Sequence, residues 1–250
     1  MTPDDIIRAL RAPDQRSCGR MAGGMGPAAT DRLVTLDAAS ESIRSWSPLL
    51  IPGLLQTTLY ALAAIRSRTP SLPDEEAGRR MQTRLWRQEN FLRRMYGLGD
   101  TYAWFIMGEA ALTQSVTSAD FHAHQLQHLL DVIDAYPRIK VRVLPDHAST
   151  AGTMEPFSIH ALEDGLRVGH LETIVGGWYT TRSEDIVRLY SSFAVLGKSA
   201  LEPTETRRVI AECLKECTAS NGEGPGSSSR PTATPTIACS SHALPTGPLQ

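Results

Sequence analysis

Apolar residues recur along this chain at two spacings, and the switch between them lays out the fold. Leu55, Leu59, Leu62 and Ile65 fall on one side of a helix and predict one over 54–66. Upstream, 31–46 predicts a helix that stops before Pro48. A third begins at Pro73, sets Asp74, Glu75 and Glu76 against the positive end of its dipole, and continues through Met81, Leu85, Gln88 and Leu92. Its other side carries Arg79, Arg80, Arg84, Arg87, Arg93 and Arg94, which the interspersed acids mark as a solvated or partner-facing surface. Aromatic 101–107 reads as a strand, and 118–136 as a helix with Ser118 as its N-cap and Pro137 beyond its end. Ile139, Val141 and Val143 alternate with Lys140 and Arg142, the pattern of a half-buried strand. The turn formers Glu163, Asp164 and Gly165 join 157–162 to 166–171 as a hairpin. Helices over 183–196, opened by Ser183, and over 203–217, opened by Thr204 or a neighbour, follow. Helices on both sides of a small cluster of strands imply an α+β fold, with helices around a small, mostly antiparallel sheet.

The ends fit no such pattern. Ile6, Ile7 and Leu10 give 4–10 one short apolar face, but Gly19, Gly23, Gly24, Gly26 and Pro27 follow and make 1–30 a flexible segment. That glycine run has neither the preceding strand nor the closing Lys-Ser/Thr of a phosphate loop. Beyond 218 the chain is Gly, Ser, Pro and Thr, which cannot bury enough apolar surface to offset its entropy, so 219–250 reads as a disordered tail and 31–218 as one domain. At 250 residues and 41% hydrophobic content, the chain has enough material for one substantial core. A net charge of −2 removes the positive field that draws proteins onto phosphate backbones, so no direct nucleic-acid partner is expected. No apolar run is long enough to cross a bilayer, and acids stand near Met1 where a secretory signal carries bases; the expectation is a cytoplasmic protein without a membrane partner. Cys213 and Cys217, one helical turn apart, are too distant for an unstrained disulfide.

Candidate chemistry is sparse. Trp46, Pro48, Pro52 and Gly53 make a rigid corner on which Trp46 packs or which a ligand touches. Gln56 is a polar amide among Leu54, Leu55 and Thr57, and must find a backbone or ligand partner if buried. Arg44, Glu109 and Glu172 sit in or beside apolar segments and predict one buried ionic network. His170 and Glu172 share a strand face, with Leu171 on the other, and are the minimal equipment for acid–base chemistry. His122, His124 and His128 tempt a metal reading, but no carboxylate of an HExxH motif lies among them, so they read as solvent-facing and no metal site is expected. No nucleophile elbow, Walker loop or Rossmann loop is present, and no cofactor is implied.

The run Ile43-Arg44-Ser45-Trp46-Ser47-Pro48-Leu49-Leu50-Ile51-Pro52-Gly53-Leu54-Leu55-Gln56-Thr57, with Tyr60, resembles a signature of the Scr-type, toxin–antitoxin-like transcriptional regulators of actinobacteria. The resemblance continues through Glu109-Ala110-Ala111-Leu112, Val141-Arg142-Val143-Leu144-Pro145, Leu171-Glu172-Thr173, Gly176-Gly177 with Tyr179, and Ala200-Leu201 with Pro203. In those regulators a helix-turn-helix domain precedes a domain of this kind. Here only 4–10 resembles a remnant of it, Gly108 stands where relatives carry an acid, and His170 where they carry an aromatic hydroxyl. The resemblance implies a sensor or interaction module that binds a small molecule or a short partner protein, with Arg44, Trp46, Gln56, Glu109 and Tyr179 as ligand-binding candidates. It leaves a homodimer open. The alternative is a cofactor-independent enzyme of specialised metabolism, an isomerase, cyclase or lyase, in which His170 and Glu172 are catalytic.

Overall fold

The structure, a computed structural model, describes residues 27–96, 101–114, 116–148, 155–173 and 176–222. Helix α1 (Pro27–Ala39) leads into strand β1 (Ser40–Ser47), then α2 (Thr58–Arg68), α3 (Asp74–Tyr96) and β2 (Tyr102–Gly108). The short α4 (Ala110–Thr113), α5 (Ala119–Ala135) and β3 (Ile139–Leu144) come next. Strands β4 (Phe157–Leu162), β5 (Arg167–Thr173) and β6 (Gly176–Thr180) precede α6 (Ser183–Ser199) and α7 (Pro203–Gly222). One six-stranded sheet runs β3-β2-β1-β4-β5-β6, parallel across its first two pairings and antiparallel across the other three. The fold is α+β. The sequence readings of 4–10, of the glycine run before Pro27 and of 223–250 lie outside the described residues.

Strand β1 is the main departure from the sequence pattern, which predicts helix through Trp46. Only α1 is helical; from Ser40 the chain pairs with β2 on one side and β4 on the other. A strand paired on both edges satisfies its backbone wholly within the sheet, and that context overrides the helix-like spacing of Ile43 and Trp46. The two side chains go to opposite faces. Ile43 joins Phe105, Val141 and Val143 beneath α2, α3, α5 and α7, whereas Trp46 joins Ile106, Phe157 and Ile159 beneath Phe193 and Leu196 of α6. The molecule is thus three layers thick, with α1 closing the end of the helical layer through Leu36, which packs on Leu162, Val168 and Tyr179.

Other boundaries move by smaller amounts. Leu54 and Leu55 sit in a separate 3-10 turn, Gly53–Leu55, and Gln56 is extended, so α2 restarts out of phase. It buries Tyr60, Ala61, Ala64 and Ile65, and leaves Leu59 45% exposed rather than on the core face. Ser118 caps α5 as expected, its Oγ accepting from the Phe121 N–H at 3.4 Å. The hairpin turns at Gly165, whose φ of +85° suits a residue without Cβ. Strand β6 has no counterpart in the sequence reading, because two glycines break the alternation. Ser183 is the first helical residue of α6 rather than its cap, and α7 continues to Gly222, past the expected domain end at 218. Among the described residues no helix is long and apolar enough to cross a membrane.

The corner after β1 is tight. A Cβ at Gly108 would stand 2.3 Å from the Pro48 carbonyl oxygen, so any side chain there requires the corner to move. Gly108→Ala is expected to lower stability by about 1–3 kcal/mol. Gly78→Ala, in open space in the second turn of α3, is expected to raise it by about 0.5–1 kcal/mol. Urea midpoints of the two variants check this; a Gly108→Ala midpoint equal to that of the parent chain would show that the corner yields freely.

Candidate functional site

Between the helical layer and the sheet lies a cavity of about 230 Å³, walled by α1, the end of α2 and α3, and floored by β1, β4, β5 and β6. Its apolar lining includes Leu33, Ile43, Leu54, Ile65 and Phe105; its polar lining is concentrated on α3 and on the antiparallel strands.

The α3 arginines do not all face solvent, which corrects the sequence reading of that stripe. Arg84 and Arg87 line the cavity, and Gln88, Phe91 and Met95 continue the same inward side of the helix. Arg87 Nε donates to Asp37 Oδ2 on α1 at 2.6 Å, an ion pair in which the two side chains are 12% and 5% exposed. Arg94 reinforces the clamp by donating to the carbonyls of Asp37 and Ser40. Burial pushes the Asp37 carboxyl up, opposed by Arg87, and its Oδ1 has no hydrogen-bond partner. Arg80 is paired with Glu76 at 2.8 Å, and Arg68 with Glu172 at 2.9 Å.

Arg84 differs from these three. Its Nη1 donates to Gln56 Oε1 at 2.7 Å, and among the described residues no acid pairs with it directly, although Glu172, held by Arg68, acts on it from farther off. Desolvation pulls its pKa down to about 10, which leaves it protonated at neutral pH. Gln56 finds backbone and arginine together: Nε2 donates to the Ile51 carbonyl at 2.7 Å, which turns Oε1 toward Arg84. Gln88 donates to the carbonyls of Gly53 and Gln56 at 2.8 and 2.6 Å and fixes the same turn. Four hydrogen bonds, all to neutral acceptors, therefore position one guanidinium at the cavity wall.

Two histidines reach the cavity from the sheet, in different states. His160 is saturated. Ser40 Oγ donates to the Leu36 carbonyl, so it accepts from His160 Nδ1–H at 3.1 Å, and Nε2 in turn accepts from Ser158 Oγ–H at 2.9 Å. Burial and the nearby Arg87 charge pull its pKa to about 3. His170 is 8% exposed, lies 4.8 Å from the Tyr179 ring centroid, and has no hydrogen-bond partner on either ring nitrogen among the described residues. Burial holds its pKa near 4 against the pull of Glu172. Gly177 makes room for the ring, since a Cβ there would stand 2.6 Å from His170 Nε2. Tyr179 is pushed up to about 12 by burial. Glu172 is half exposed; desolvation raises it, but Arg68, His170, Arg84 and Arg87 together outweigh that and hold its carboxyl below the ordinary value.

Of the residues singled out in the sequence, His170, Glu172 and Tyr179 meet at the cavity, with Gln56 behind Arg84. Trp46 lines the cavity as part of β1, but its indole packs in the opposite core. Arg44, Glu109 and Glu172 form no network. Arg44 is on the other face of the sheet, over the rings of Trp104, Tyr190 and Tyr102 at 4.6, 5.1 and 5.9 Å, because odd and even positions of β1 point apart. Glu109 opens α4, where Oε2 accepts from the Asp146 N–H at 3.0 Å. His122 is buried rather than solvent-facing, its Nε2 2.7 Å from the Leu112 carbonyl, while His124 is exposed. Among the described residues no cluster of three His, Cys, Asp or Glu is placed to hold a metal ion. Asp37, Arg84, Arg87 and His160 are the site residues the sequence reading missed. The available signal was the spacing of Arg84 and Arg87 with the apolar Phe91 and Met95.

The two neutral histidines give folding a pH dependence. The unfolded chain protonates each near pH 6.5, the folded chain only near 4 and 3, so the unfolded state binds more protons in between and stability falls as pH falls. Asp37, raised by burial, works in the opposite sense, and Glu172, lowered, adds to the loss only in stronger acid. From pH 7 to 5 the two rings are expected to remove about 3–4 kcal/mol. His170→Phe, which keeps the stack on Tyr179, is expected to halve that loss in urea unfolding at the two pH values; an undiminished loss would place the acid sensitivity elsewhere.

No protein among the curated proteins matches this chain. The model of one protein family does match, over residues 30–212, from within α1 to within α7. The cavity and every residue described around it fall inside that span, and the chain belongs to the family described as a domain of unknown function, DUF5753.

Proposed function

We propose that this chain is a regulatory binding module that takes a small organic anion into the cavity between α3 and the sheet, with Arg84 as the charge partner. The observation that carries the reading is the state of Arg84: a desolvated guanidinium whose protein acceptor is a neutral amide, while Arg68, Arg80 and Arg87 each have an acid. A partly buried, desolvated cation whose nearby acid, Glu172, is already held by Arg68 gains from an anion that reaches it, and that gain is available as binding energy. The apolar lining suits the body of a small metabolite, and the cavity is smaller than the roughly 300–1,000 Å³ of sites that enclose drug-sized ligands. The resemblance to antitoxin-like regulators supports a regulatory use of such binding.

A binding role is favoured over acid–base catalysis by the same geometry. A general base works best with a pKa near the working pH, whereas His170 is held near 4 and Glu172 is engaged by Arg68 at 2.9 Å.

The test is a thermal-shift series with small carboxylic acids and their primary amides. Acids are expected to raise the melting temperature and amides to have little effect. Arg84→Met is expected to remove the response to acids while leaving the unliganded protein within about 1 kcal/mol of the parent, since removing a desolvated charge offsets the donor lost to Gln56 and Glu172 keeps Arg68. Equal stabilisation by acids and amides, or an intact response in Arg84→Met, would overturn the reading.

A further inference from the structure

Beyond the charge partner, two neutral groups face the same cavity without a protein hydrogen-bond partner among the described residues: the imidazole of His170 on β5 and the hydroxyl of Ser45 on β1. The other serines there are committed. Ser47 Oγ donates to the Leu50 carbonyl at 2.6 Å, and Ser158 is spent on His160. Resting on the anion reading above, we infer that the ligand is a hydroxy acid: a carboxylate for Arg84, an apolar body for Ile43, Leu54, Ile65 and Phe105, and a hydroxyl for His170 and Ser45.

The chemistry behind the second polar group is one of matching. His170 is 92% sequestered by Tyr179, Gly177 and their neighbours, yet among the described residues its nitrogens make no hydrogen bond to protein, so what they bond to is whatever enters the cavity, and a ligand atom can take the place of water there. A neutral imidazole presents one donor and one lone pair, and a serine hydroxyl both donates and accepts. A ligand hydroxyl satisfies either nitrogen, in either tautomer, and leaves a bond for Ser45. A ligand ammonium does not fit: the lining cations Arg68, Arg80, Arg84 and Arg87 face the lining acids Asp37 and Glu172 and the nearby Glu76, so one positive charge is already in excess. A monoanion balances it.

Three probes of one shape separate the two requirements. 3-Phenyllactate carries both groups, 3-phenylpropanoate lacks the hydroxyl, and 3-phenyllactamide lacks the charge. Their dissociation constants are measured calorimetrically, with each enantiomer of the chiral probes, on the full chain and on His170→Phe at pH 7.5. On the parent chain 3-phenyllactate is expected to bind best, about tenfold tighter than 3-phenylpropanoate and about a hundredfold tighter than the amide. In His170→Phe the advantage of the hydroxyl should shrink to about twofold and the preference for acid over amide should persist. Equal binding of 3-phenyllactate and 3-phenylpropanoate, both above the amide, would overturn the hydroxy-acid inference and leave the anion reading standing. An undiminished hydroxyl advantage in His170→Phe would overturn it as well. No preference for acid over amide, or no binding of either acid, would remove the anion reading and this inference with it.

Discussion

The organisation of this domain turns on how guanidinium groups are taken out of water. Helix α3 presents charge to the interior rather than apolar side chains alone, and each inward arginine must be met by something fixed. Asp37 meets Arg87, and in doing so ties α1 to α3 across the mouth of the sheet. Backbone carbonyls at Asp37 and Ser40 meet Arg94 at the junction where α1 becomes β1. The position of that junction, and with it the register of the first strand, is tied to the charge on α3. An apolar replacement at these sites would pack as well but would not specify where the helix ends.

The same constraint explains the hydrogen-bonding thrift around the cavity. His160 uses both ring nitrogens on serines, Gln56 uses both ends of its amide, and Gln88 holds two carbonyls. Groups so fully engaged are scaffold. His170 and Arg84 stand out because, among the described residues, the first has no hydrogen-bond partner and the second is met by a neutral amide in place of an acid, and pre-positioned groups with capacity to spare are what a binding site requires.

How much of this was legible in the sequence depends on which signal each part leaves. Helices α3 and α5 and the 157–171 hairpin carry local signals, namely acids at an N-terminus, a serine cap and a glycine turn, and the structure places them within a few residues of expectation. Strand β1 carries none, because its identity comes from partners 60 and 120 positions away: Ser42 opposite Tyr102, Ser40 beside His160. Strand β6 is hidden by Gly176 and Gly177, the second of which makes room for His170. At the site, the shared face of His170 and Glu172 followed from strand alternation, but the partner of Glu172 did not. Arg68 lies at the end of a helix whose phase was reset at Gln56, and no periodicity carries across that break.

The seam between β1 and β4 divides the sheet into a parallel half and an antiparallel half, and the cavity floor straddles it. Strands β4, β5 and β6 follow one another with only a few residues between them, so they close with little loss of chain entropy. Bringing Ser40 to His160 closes a loop of 120 residues. In the order in which a chain can acquire its contacts, the hairpins precede the seam, since non-local pairing must first overcome the entropy of the intervening loop. The cavity therefore has both its walls only once the seam has closed. A ligand seated across the seam would act on a contact of long sequence separation, and so on the rate at which the native state opens.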